Sequence, residues 1–131
     1  MRPTSARAAL PALVRTMFEP QPVTPAFREH FSPDFATRPG QLHASGEDLA
    51  EIAAATRRLT PHYERLEVPI AVITGSGDAI FDPDRQSRSF AALVPTARLN
   101  VAPAAGHMLH HTDTARVAAT ILALLAPPPA P

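Results

Sequence analysis

The sequence predicts an α/β protein, a helical first half followed by a strand–helix–strand–helix unit whose two strands run parallel. Three observations lead there. Residues 68–74 (Val-Pro-Ile-Ala-Val-Ile-Thr) form a short apolar run rich in β-branched side chains and ended by Gly75, the pattern of a strand covered on both faces. Residues 97–102 alternate apolar Leu99 and Val101 with polar Arg98 and Asn100, as an edge strand does. Between and after these runs apolar residues return to helical spacing, whereas nothing before Pro61 has a strand pattern.

In chain order, Leu10, Leu13, Val14, Met17 and Phe18 share one helical face. Pro11 fits only near a helix start, so the spacing predicts a helix over Pro11–Phe18. Residues 19–25 (Glu-Pro-Gln-Pro-Val-Thr-Pro) read as a turn, because each proline drives its predecessor out of the helical region. Thr24 is an N-cap with Pro25 at the first helical position, opening a short helix to about Phe31. Residues 32–44 are polar, contain Pro33, Pro39 and Gly40, and read as a loop. Ser45 and Asp48 form a capping-box-like pair ahead of Leu49, Ile52, Ala53, Thr56 and Leu59, which share a face. Beyond the first strand, Asp82 caps a helix with Pro83 at its start and Phe90, Ala91 and Val94 on its face, ended by Pro95. Thr112 caps a last helix bearing Val117, Ala118, Ile121, Leu122 and Leu125. The closing residues 127–131 (Pro-Pro-Pro-Ala-Pro) can continue neither helix nor ladder and read as a disordered tail.

A chain of 131 residues suits one domain, and its 45% hydrophobic content permits a core. Twelve basic and twelve acidic side chains cancel, which argues against nucleic acid or an anionic membrane as partner. Absence of cysteine excludes disulfides, thiolate chemistry and Cys-ligated zinc. No apolar stretch approaches the roughly 20 residues of a membrane span. Arg7 and Pro11 interrupt the place where a secretory leader would be apolar, so a cytoplasmic protein is expected. No cofactor is expected.

Two segments carry the chemistry. Gly75-Ser-Gly-Asp78-Ala-Ile-Phe-Asp82-Pro83 follows the first strand directly, and Ala105-Gly106-His107-Met108 follows the second. In an open parallel sheet the strand C-termini share one edge, where ligands and catalytic groups gather. Asp78 and His107, 29 positions apart, therefore fall on adjacent loops. A carboxylate beside an imidazole fixes its tautomer and stabilises the imidazolium formed when the ring takes a proton. Gly75 and Gly106 suit the sharp turns required. Asp82 is a second candidate acid, better placed as a helix cap. His107, His110 and His111 form His-x-x-His-His, but this is not the spacing of a helical zinc pair, and no metal site is expected. His110 and His111 are expected to line the loop or cap the helix, and His30, His43 and His62 to be ordinary surface or cap residues. Met17, Phe18, Phe27, Phe31 and Phe35 line an apolar pocket or simply pack together.

The run from about Tyr63 to Leu125 resembles the C-terminal region of α/β-hydrolase-fold enzymes, where a Gly-x-x-Asp-x-Ile-x-x-Pro-like motif follows the penultimate strand and a Gly-His-Met-like motif the last. The resemblance implies the C-terminal part of that fold: residues 1–62 a helical cap-like segment and 63–126 the βαβα part of the core. It implies Asp78 as triad acid, His107 as triad base and a small ester-like molecule as substrate of the intact enzyme. The chain departs from the pattern at the nucleophile. It has no Gly-x-Ser-x-Gly elbow, and Ser76 lies on the acid's own loop, while Ser5, Ser32, Ser45, Ser87 and Ser89 also lack the elbow context. Without nucleophile or oxyanion hole, Asp78 and His107 cannot complete acyl transfer. Two functions are then expected. One is a partial hydrolase, inactive alone. The other is a non-catalytic hydrolase-like module that pairs through an exposed sheet edge with another copy or a complementing N-terminal fragment.

Overall fold

The computed structural model describes residues 3–126; the proline-rich run 127–131, read as a tail, lies outside them. Four helices come first: α1 (Pro3–Phe18), α2 (Pro25–His30), α3 (Pro33–Ala36) and α4 (Pro39–Leu59), followed by a 3-10 turn at Thr60–Arg65. Strand β1 (Ile70–Gly75), a π-helical turn at Asp84–Arg88 running into α5 (Ser89–Leu93), strand β2 (Ala97–Ala102), α6 (Leu109–Thr112) and α7 (Thr114–Leu125) complete the chain. The architecture is mixed α and β, with β1 and β2 paired in parallel from Ile70↔Ala97 to Gly75↔Ala102. That pairing is the expected βαβα unit, with the second strand at the residues its alternation marked. Among the described residues no helix is long and apolar enough to cross a membrane.

The helical half departs from expectation in three places. Helix α1 runs through Pro11 rather than starting there, because losing one backbone bond does not end a helix held by its neighbours. Residues 32–44 are not a loop. Ser32 accepts from Phe35 N–H at 3.3 Å to cap α3, and Pro39 at the first helical position opens α4. Ser45 and Asp48 therefore lie inside α4 and cap nothing; Gly40 and Gly46 weaken the helix but leave it continuous. At the other end, the cap of α7 is Asp113, not Thr112, which closes the separate turn α6. Asp113 Oδ1 accepts from Arg116 N–H at 3.2 Å, and Oδ2 takes the Arg116 Nε–H at 2.7 Å. A charged acceptor thus displaces the hydroxyl as the better cap. Two expected caps do form: Thr24 accepts from Phe27 N–H at 3.2 Å, and Asp82 Oδ1 from Asp84 and Arg85 N–H at 2.9 and 3.3 Å.

The buried cluster of Ala102, Ala105 and Leu109, with Ile73 and Val117 packed on it, sits under the C-terminal end of the sheet. It thereby supports the two loops that carry Asp78 and His107. Elsewhere apolar side chains stay exposed, notably Leu49 and Ile52 on α4 and Ile121, Leu122 and Leu125 on α7. Helix α7 is apolar on both sides, a pattern associated with burial.

Candidate active site

Both strands end at one edge, and the two loops leaving them interlock through the backbone. Ser76 N–H donates to Ala102 O at 3.0 Å and Gly77 N–H to Ala105 O at 2.9 Å. A Cβ on Gly75 would fall 2.1 Å from Ala105 O, so only glycine lets the second loop cross so closely. On that frame Asp78 and His107 meet as the sequence expects: His107 Nδ1 lies 3.0 Å from Asp78 Oδ2. The other carboxylate oxygen, Oδ1, accepts from Ile80 and Phe81 N–H at 2.8 and 2.9 Å. A carboxylate accepts only, so Nδ1–H is the donor and Nε2 is left as the basic nitrogen. The Asp78 side chain is 8% exposed and that of His107 26%. The acid is therefore sheltered, and the imidazole can still be reached from outside.

Three residues that sequence reasoning missed complete the arrangement. The Phe81 ring stands edge-on to the His107 ring at 5.2 Å. Ser76 Oγ accepts from Ala104 N–H at 2.8 Å, so this hydroxyl ties the loops together. Gln21, from the proline-rich turn after α1, bonds both Ala104 and Gly106. Ser76 and Phe81 lie inside the motif after the first strand, at positions whose partners are set by tertiary contacts, and Gln21 lies outside both motifs.

Among the described residues the remaining histidines make no hydrogen bond to the pair. His111 stands edge-on to Phe27 at 5.2 Å and faces Phe18 at 5.9 Å. Phe27 in turn packs on Phe18 and Phe31 at 4.9 and 4.8 Å. Phe35 stays outside this stack, with Arg38 over its ring at 5.1 Å. Burial first, then the neighbouring His111 and His107, hold the His110 imidazole below its usual value. Hydrogen bonds from the Arg116 side chain and backbone lower the Asp113 carboxyl. Among the described residues no three histidines or carboxylates are grouped as metal ligands. A groove of about 650 Å³ between the sheet and α7, lined by Arg98, Asn100, Asp113 and Arg116, does not include Asp78 or His107. Among the described residues no hydroxyl bonds His107 Nε2.

A family model described as PhoPQ-activated pathogenicity-related protein matches residues 43–126, from α4 to the end of α7. No curated protein matches the chain. The match corrects the family that the two motifs suggested, since the family found is not described as one of α/β hydrolases. The physical reason is the shortness of the motifs. Glycine followed by a polar side chain suits any tight exit from a parallel strand, so a shared loop geometry does not establish shared family.

Proposed function

Since the chain belongs to the PhoPQ-activated pathogenicity-related protein family, we propose that it supplies the acid–base half of a site that hydrolyses an ester or related acyl bond in a small molecule. The nucleophile comes from outside the described residues, and the chain by itself turns over no ester. The observation that carries this reading is the Asp78–His107 pair, with Oδ1 fixed by two amides and Oδ2 on Nδ1. In the reaction, His107 Nε2 takes the proton of an attacking hydroxyl as its oxygen bonds the ester carbonyl, then returns it to the leaving alcohol. Asp78 holds the tautomer and stabilises the imidazolium between those two transfers. We take the cytoplasm as the compartment, which cell fractionation tests.

With small nitrophenyl esters the wild-type chain should show only background hydrolysis, the same as His107→Ala. A robust rate abolished by His107→Ala would mean that the chain holds its own nucleophile. The pair is tested separately by ¹⁵N NMR of the histidine rings. The reading expects an Nδ1-protonated His107 that reverts in Asp78→Asn to the Nε2-protonated form favoured by free imidazole.

A second reading is favoured by the sheet, which has two strands and two outer edges without a partner strand among the described residues. Here the chain is a non-catalytic module that pairs with a second copy or a complementing fragment. The exposed Ile121, Leu122 and Leu125 of α7 would be covered in the same event. Sedimentation should then show concentration-dependent association; a monomer that persists at high concentration removes pairing with a second copy and counts against this reading.

A further inference from the structure

The orientation of His107 depends on the backbone of the residues just before it, and that backbone is strained. Ala104 has φ 54°, in the left-handed region, where a side chain costs on the order of 1–2 kcal/mol. Such a conformation persists only where its surroundings hold it. Here both polar groups of Ala104 are held. Its N–H donates to Ser76 Oγ at 2.8 Å, and its carbonyl accepts from Gln21 Nε2 at 2.5 Å. The Gln21 Oε1 accepts from Gly106 N–H at 2.9 Å, so one side-chain amide bridges the strained residue and the residue next to His107. Gln21 is itself anchored: its own N–H donates to the carbonyl of Phe18 at 2.9 Å, and Phe18 is 1% exposed. Met108 N–H also donates to Met17 O at 3.2 Å, so the end of α1 grips the histidine loop on both sides of His107.

We propose that Gln21 is the positioning residue for His107, acting through the Ala104–Gly106 backbone. The first helix and its following turn are thereby the buttress of the histidine loop. This assignment rests on the reading of Asp78 and His107 as an acid–base pair. Asp78 has its own anchors in the Ile80 and Phe81 amides, none of which involves Gln21. Loss of the amide should therefore move one member of the pair and leave the other in place.

Amide exchange and histidine-ring ¹⁵N NMR on the full chain test this. In Gln21→Ala the protection of the Gly106 amide should fall about fivefold, the worth of one hydrogen bond. The His107 ring should shift toward its Nε2-protonated form, while protection at Ile80 and Phe81 stays as in wild type. An unchanged ring, or a fall in protection shared equally by Ile80 and Phe81, overturns the proposal. Should Gln21→Ala fail to fold, Gln21→Glu keeps an acceptor for Gly106 but places a carboxylate against the Ala104 carbonyl; it should give the same shift, and an unchanged ring again overturns the proposal. In the wild type, a Gly106 amide exchanging as if unprotected overturns it with no variant at all. A ring that moves in Asp78→Asn but not in Gln21→Ala removes Gln21 alone. A ring unmoved by Asp78→Asn removes the acid–base reading on which it rests.

Discussion

Gly106→Ala should displace the His107 loop and lower the free energy of unfolding by about 3 kcal/mol, the upper end of the usual overpacking penalty. A Cβ there would stand 2.1 Å from Glu19 O and 2.9 Å from both Glu19 C and Phe18 O. All three are main-chain atoms at the end of α1, which cannot turn aside as a flexible side chain would. Gly75→Ala should act alike from the other strand, since its Cβ would meet Ala105 O, Ala105 C and Gly106 O at 2.1, 2.5 and 2.8 Å. The contrast is Gly46 in α4, where nothing lies within 4 Å. Gly46→Ala should keep or raise stability, by up to about 1 kcal/mol. Urea unfolding of the three variants checks this; equal midpoints for all three would show that the loops leave room for a methyl group at their crossing.

Phe18→Ala should cost about 3–5 kcal/mol, the range for deleting a buried aromatic ring. Phe18 and Val94 are the largest fully buried side chains among the described residues. Against a typical domain stability of roughly 5–15 kcal/mol, such a loss is a large fraction of the whole. The ring is also the common neighbour of Phe27 and His111, so its removal opens a cavity between α1, α2 and α6. Thermal unfolding followed by circular dichroism measures the effect. A cost below about 1 kcal/mol, the scale of a single methylene, would mean that the aromatic stack is not what binds α1 to the second half.

How far the site is legible in the sequence depends on the range of the interactions involved. Strands β1 and β2 are legible because burial on one or both faces leaves a period in the sequence, and Asp78 and His107 follow from where those strands stop. Thr24 and Asp82 are legible because a cap bonds within three residues of itself. Gln21 gives no such signal. Its partners lie 83 and 85 positions away, and a glutamine between prolines looks like any linker residue. The start of α4 is hidden for a different reason. Pro39 and Gly40 are punctuation in most contexts, yet at the first turn of a helix proline costs nothing and glycine little. Pro11 misleads by the same rule in reverse. The family is not legible in two motifs that many parallel strand exits can share.

Parallel pairing makes the separation of Asp78 and His107 independent of the crossover between their strands. Asp78 lies three positions past Gly75 and His107 five past Ala102, and those two residues are partners in the ladder. The chain between Asp84 and Pro95 contributes to neither count. Extra residues in that stretch leave the pair at its spacing, whereas one extra residue between Ala102 and His107 shifts the imidazole by a chain repeat of about 3.3 Å. That shift exceeds the length of the bond to Asp78. Length drift among relatives should accordingly collect in the crossover and be absent from the two strand exits.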